Sequence, residues 1–590
     1  MKRRRAVGAE CTGSGVDFRV WAPDRKNVSV VIDGSDFPLD RDSDGHFRGV
    51  VSKAGAGTHY RFRLDRGGDT FPDPASRFQP EGPHGASEVV DPNAYRWRAS
   101  NPPLQTQQLV IYEMHIGTFT REGTWRAATD KLAPLADLGV NLLEIMPVNA
   151  FPGRFGWGYD GVDLWAPSHL YGTPDDFRRC VDSAHSLGLG VILDVVYNHF
   201  GPDGCYWKSF AKDYFTDRYR VEWGEAINFE AAGAREYFSE NAGYWIDEFH
   251  LDGLRLDATQ SIHDRSPEHI IAMIQRRARE AAGDRSIFMV AENEPQDVQL
   301  IKRYGLDAMW NDDWHHAAMV AATGRREAYY TDYRGHSQEF VSAAKYGFLF
   351  QGQHYAWQKK RRGTASRHLP REKLVCYLQN HDQVANSGAG LRLQSLTSPG
   401  RYRALTALLL LGPDTPMLFQ GQEFAASAPF FYFADHKPEL AASVDKGRRD
   451  FMRQFRSIDI AKLPAPHDPA TLERCKLDHS EREKHGDVVA MHRDLLRLRR
   501  ELDFSDLDGA VLSDTAFLMR YADVHLLLIN LGGPVQLEVA PEPLLAPPEG
   551  ARWEVQWSSE PLNEPVEVDG EPSWRIPAES AVLMRARNSR

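Results

Sequence analysis

Four apolar runs in this 590-residue chain end in carboxylates or histidines: Asp194-Val-Val-Tyr-Asn198-His199, Arg255-Leu-Asp257, Ala291-Glu292-Asn293 and Asn380-His381-Asp382. Any one of them has a structural explanation, because a buried aspartate beside an arginine is often a satisfied ion pair. Four together are hard to attribute to packing. Acid groups gathered in one place suit reactions that need two carboxyl groups in different protonation states, as cleavage of a glycosidic bond does. Carboxyl groups about 5–5.5 Å apart give a covalent intermediate and retention, and a wider gap admits water and gives inversion. Sequence alone does not supply that separation.

Charged strand ends can meet only if the strands run side by side in one direction. Apolar runs recur at Leu109–Tyr112, Leu142–Met146, Val191–Val196, Gly253–Leu256, Ile287–Ala291, Ala308–Trp310, Leu374–Leu378 and Pro416–Phe419. Helical patterns such as Asp175–Leu187 and His269–Ala282 lie between most of them. Eight runs with this alternation predict an α/β fold, a (β/α)₈ TIM-type barrel over 106–502, whose C-terminal strand ends share one mouth. Residues 200–233 show little periodicity and read as a long loop after the third strand, of the kind that shapes an active site. Val488, Met491, Leu495, Leu498 and Leu502 form the apolar stripe of a helix near the barrel's end.

Before the barrel, the pattern has period two. Phe18, Val20 and Ala22 share one face, as do Val28, Val30 and Ile32, and Tyr60, Phe62 and Leu64. Turns are signalled at Asp33-Gly34, Asp44-Gly45 and Gly67-Gly68, so residues 1–95 read as an immunoglobulin-like β-sandwich. Pro102-Pro103 marks a linker. After the barrel, Phe517–Tyr521, Leu526–Leu531, Trp553–Trp557 and Val582–Met584 predict a C-terminal antiparallel β-domain over 503–590.

Composition narrows the function. A net charge of -12 argues against a nucleic-acid partner, whose binding rests on clustered Lys and Arg. The run Lys2-Arg3-Arg4-Arg5 reads as a solvated terminus. It lacks the apolar stretch of a signal peptide, and the longest apolar run, Ala404–Leu411, is too short to span a membrane. Five scattered cysteines with no CxxC do not suit a disulfide framework, so a cytoplasmic location is expected. His315-His316 is not spaced for zinc and reads as a helix start after the sixth strand. Aromatics reach 11%, which suits sugar faces and large cores equally.

The segments Asp194–His199, Gly253–Asp257, Val290–Glu292 and Asn380–Asp382 resemble, in order and spacing, the four strand-end motifs of the α-amylase superfamily. The resemblance implies Asp257 as nucleophile, Glu292 as general acid/base and Asp382 as transition-state stabiliser. It implies His199 and His381 as partners of sugar hydroxyls and Tyr159 as a platform for the sugar ring. Arg255 would keep Asp257 ionised, with Asp194 as its partner. Asn198 and Asp194 occupy positions where some members organise calcium. The loop from Phe200 onward has no compact Asp/Asn cluster, so no required metal and no cofactor are expected.

Within the superfamily, the N-terminal β-domain and Asn228-Phe229 resemble the branch of glycogen-branching enzymes and isoamylases. Asp257-Ala-Thr-Gln260-Ser261 departs from the Asp-x-x-Lys-His of plain α-amylases. Residues 73–85, 112–124, 146–153 and 310–316 are similar to the malto-oligosyltrehalose trehalohydrolases. That resemblance implies hydrolysis of the α-1,4 bond next to the trehalose end of maltooligosyltrehalose, with related α-glucans as further partners. Trp310, Trp314 and Phe151 are candidate walls of a trehalose pocket, with packing of the barrel rim as the equal alternative. A 1,4-α-glucan branching enzyme is the second reading, and a non-catalytic glucan-binding protein the third.

Overall fold

The computed structural model describes residues 3–221, 223–537, 542–562 and 574–588. All eight apolar runs become barrel strands. Ile111–Met114, Leu142–Ile145, Gly190–Val195, Gly253–Leu256, Phe288–Ala291, Ala308–Trp310, Leu374–Tyr377 and Thr415–Phe419 pair in that order, parallel throughout, and the last closes on the first. Every residue of these strands is buried, as expected when helices cover the outer face and side chains fill the inside. Ile111, Leu142, Ile192, Val290, Trp310 and Met417 form part of the apolar filling. One layer higher, towards the C-terminal ends, the inward side chains become polar: Glu113, Glu144, Asp194 and Arg255.

Helices form where local chemistry starts them. Pro174–Ser186 opens on a capping box, in which the Thr173 hydroxyl accepts the Asp176 N–H and the Asp176 carboxylate accepts the Thr173 N–H. Pro174 stands at a first-turn position, where its missing N–H costs nothing. Gly486–Arg499 buries Leu495 and Leu498 of the expected stripe, and Leu502 lies past its end. His315 and His316 lie in the helix Asp312–Thr323 that follows the sixth strand.

The sandwich has one sheet built on Gly15–Trp21 and His46–Val51 and another on Val28–Ile32 and His59–Leu64. Phe18 and Val20 meet Val30 and Phe62 between them. Trp21, on the opposite face, packs on the barrel. It lies over Gly233, where a Cβ would come within 2.1 Å of its ring, so no other residue fits there unmoved. The basic run expected to be solvated is so only at Arg4, which is exposed though it pairs with Asp247 at 2.8 Å; Arg3 pairs with Asp17 at 2.9 Å and the buried Arg5 with Glu248 at 2.9 Å. Arg3 ties the terminal segment to the sandwich, and Arg4 and Arg5 tie it to the barrel helix Ala232–Glu248; Lys2 lies outside the described residues. The segment after the third strand is not all loop, because Phe215–Val221 and Gly224–Ile227 form a hairpin. Most of its residues are not buried, so it leaves no apolar alternation to read.

Ala516–Tyr521, His525–Asn530, Ser580–Asn588 and Ala551–Ser558 are neighbours in a five-stranded C-terminal sheet. No described helix is long and apolar enough to cross a membrane.

Candidate active site

Arg255 organises the barrel mouth. It sits opposite Asp194 in the register of the third and fourth strands and is fully buried. Its Nη1 donates to both Asp194 oxygens at 2.8 Å and to Asp257 Oδ1 at 2.7 Å. Its Nη2 lies 3.0 Å from Glu292 Oε2. The Trp310 ring backs the guanidinium at 4.3 Å, so this cation–π contact leaves the charge facing three carboxylates.

These carboxylates do not behave alike. Burial pushes Asp257 upward, but Arg255, His199 and a hydrogen bond from Asn198 outweigh it and hold the group below the ordinary aspartate value. Asn198 Nδ2 donates to Asp257 Oδ2 at 2.7 Å and to its carbonyl at 2.9 Å. Glu292 goes the other way. Burial, reinforced by the charges of Asp257 and Asp382, outweighs Arg255 and raises its pKa to about 8. The Ala258 N–H donates to Glu292 Oε2 at 2.9 Å. Ala258 has φ 38°, a left-handed conformation uncommon for a residue with a Cβ. Such strain collects at functional sites. At neutral pH one arginine thus holds an ionised carboxylate and a protonated one, the pair that acid-assisted displacement needs. Asp382 stands in the first turn of His381–Ala385, capped by Asn380, and at 45% side-chain exposure is more open than Asp257 at 11% or Glu292 at 22%.

Tyr159 donates its hydroxyl hydrogen to Asp194 Oδ2 at 2.7 Å and stacks on the His381 ring. Burial lowers the pKa of His381, but Glu113 and Asp382 raise it further, to about 9. His199 is at the site but is not presented to a ligand. Its Nε2 lies 2.9 Å from the Tyr159 carbonyl, Nδ1 faces Asn198 Oδ1, and the exposed Trp223 indole covers one face at 3.7 Å. As placed, His199 braces Asn198. Arg255 likewise lies behind the carboxylates, out of reach of a substrate.

Of the two readings open for Trp310, Trp314 and Phe151, pocket wall or packing, the structure shows packing. Trp310 lies under Arg255, Trp314 packs near Phe340 and Phe151 near Tyr171, and none is more than 4% exposed. Their apolar area is better satisfied in the core than at a wet rim. Glu113 and Glu144 lie inside the first two strands, where a carboxylate within an apolar run is a signal that the strand-end motifs do not capture. Asn198, at a position linked to calcium, gives its amide to Asp257. Among the described residues, no three or more His, Cys, Asp or Glu are grouped to hold a metal ion.

The family model for the α-amylase catalytic domain matches residues 76–226 and 206–458. The closed barrel with this match defines an α-amylase-type glycoside hydrolase. A malto-oligosyltrehalose trehalohydrolase from Deinococcus radiodurans is 41% identical over 498 residues, covering 83% of this chain and 82% of its own. The chain belongs to the malto-oligosyltrehalose trehalohydrolase family. The crystal structure of a candidate α-amylase from Salmonella typhimurium superposes with a TM-score of 0.89 at 36% identity, covering 99% of this chain and all of its own. A 1,4-α-glucan branching enzyme from Pseudoalteromonas atlantica is 33% identical over only 43% of this chain and 39% of its own.

Proposed function

We propose that the chain hydrolyses the α-1,4-glucosidic bond next to the trehalose end of maltooligosyltrehalose, with retention, releasing trehalose and a maltooligosaccharide. The observation that carries the chemistry is the split in protonation between Asp257 and Glu292 on one guanidinium. Asp257 attacks the anomeric carbon while Glu292 gives its proton to the departing trehalose oxygen. Glu292, now ionised, takes a proton from water as that water attacks the same carbon and frees Asp257. Asp382, the most open of the three, meets the sugar hydroxyls, and Tyr159 carries the ring. Family membership supports the choice of bond.

The test compares maltooligosyltrehalose with a maltooligosaccharide of equal length. The ratio of specificity constants reports transition-state discrimination, about 1.4 kcal/mol per factor of ten. Free trehalose and a product of α-configuration are expected. New α-1,6 branch points in amylose, or no preference for the trehalose-capped chain, would overturn the reading.

A further inference from the structure

Glu113 is a buried carboxylate to which the proposed reaction gives no task. It stands on the first barrel strand, in register with Glu144 on the second, and each is 1% exposed. One Glu113 oxygen lies 2.6 Å from His381 Nδ1, and the other accepts the His381 backbone N–H at 3.0 Å. The second ring nitrogen, Nε2, lies 2.9 Å from the Tyr159 hydroxyl. That hydroxyl has a single hydrogen, which it donates to Asp194. It can only accept from Nε2, so Nε2 carries a proton. Nδ1 faces a carboxylate oxygen and carries one as well. The directions of these hydrogen bonds make the ring an imidazolium, with Glu113 as its counter-ion.

We propose that Glu113 is a positioning residue that holds His381 as an oriented imidazolium and thereby sets the direction of the hydrogen bonds running through Tyr159 and Asp194 to Arg255. The relay ends on the guanidinium that touches Asp257 and Glu292. The charged and titratable groups around His381 agree with this. Glu113 on the first strand and Asp382 beside it favour the cation, and Arg255 opposes it. His115, lowered to about 4 by burial, is neutral. Glu144 differs from its neighbour: neither oxygen has a hydrogen-bond partner among the described residues, and burial with the adjoining Glu113 charge pushes its pKa well up. Of two adjacent buried glutamates, one holds a histidine through both oxygens and the other has no hydrogen-bond partner among the described residues.

The two therefore respond oppositely to the same substitution. Glu113→Gln keeps the size and removes the charge. At pH 7.5 its kcat/KM should fall on the order of tenfold to a hundredfold, the rate equivalent of one hydrogen bond to a charged group. Activity should return as the pH drops towards 6 and the ring regains its proton. Glu144→Gln should leave the shape of the pH profile unchanged. An unaltered profile in Glu113→Gln, or the same shift in Glu144→Gln, overturns the assignment. If either variant does not fold, ¹H–¹⁵N spectra of ¹⁵N-histidine-labelled native protein decide, with His381 identified by its loss in His381→Asn. An imidazolium at pH 7.5 is expected, and a neutral ring overturns the proposal. The activity arms rest on the trehalohydrolase reading, but the spectra do not. Failure to release trehalose would remove that reading while leaving the ring's protonation measurable.

Discussion

The raised pKa of Glu292 has a direct kinetic consequence. With a pKa of about 8 rather than the ordinary 4.5, roughly nine-tenths of Glu292 is protonated at pH 7, against about 0.3% of an unperturbed glutamate. Burial and the charges of Asp257 and Asp382 therefore raise the concentration of the acid form about 300-fold at pH 7. The sign is that of a proton donor, active below its pKa and lost as pH rises through it. In native protein, kcat/KM for maltooligosyltrehalose should have an alkaline limb near pH 8 and fall about tenfold by pH 9. Because Asp257 is held below the usual range, the acidic limb should lie below the ordinary aspartate value. Glu292→Gln is the perturbation. It should cost the natural substrate on the order of 10²–10⁴-fold. It should cost an α-maltosyl fluoride much less, because fluoride leaves without a proton, and with that substrate the fall near pH 8 should give way to a later one near pH 9, where His381 loses its proton. Initial rates from pH 5 to 10 on both substrates give the answer. A fall near pH 8 that persists in Glu292→Gln, or equal losses on both substrates, would refute Glu292 as the acid.

Asp257→Asn should lower turnover by at least roughly 10⁴-fold without unfolding, since a neutral amide cannot attack the anomeric carbon; rates beside a circular dichroism melt check it. Asn198→Ala removes the 2.7 Å hydrogen bond to Asp257. It should cost about 1.5–3 kcal/mol in kcat/KM and move the acidic limb upward; a near-native profile would show that Arg255 alone positions the nucleophile. His115, His315 and His492 are buried and lowered to about 4. A depressed folded pKa gives stability that is full above the unfolded value near 6.5 and is lost as pH falls towards 4. Each should remove about 2 kcal/mol by pH 5, so denaturant midpoints should drop steeply between pH 6.5 and 4, and a flat profile would contradict their burial as neutral rings.

The sequence by itself determined the barrel and the places where charge interrupts it. Eight apolar runs separated by helical patterns became eight parallel strands, because periodicity and strand burial are written locally. The carboxylates at their ends were visible for the same reason: polar residues at the edge of an apolar run stand out. What each carboxylate does was legible only through the family resemblance, not from the residues themselves. Asp257 and Glu292 are both simply acids in sequence, and their opposite protonation comes from one arginine, from Asn198 59 residues away and from the burial of the whole mouth. Glu113 and His381 are 268 residues apart in the chain and 2.6 Å apart in space. Trp310 could have been a pocket wall or packing, and it is the cushion under Arg255, because an aromatic at a strand end can face the core or the mouth with the same local pattern. Arg3 and Arg5 read as solvated, but acids in the sandwich and on the helix Ala232–Glu248 meet them. Elements follow from neighbours along the chain. Charge states and orientations follow from neighbours in space, and only the closed barrel brings those together.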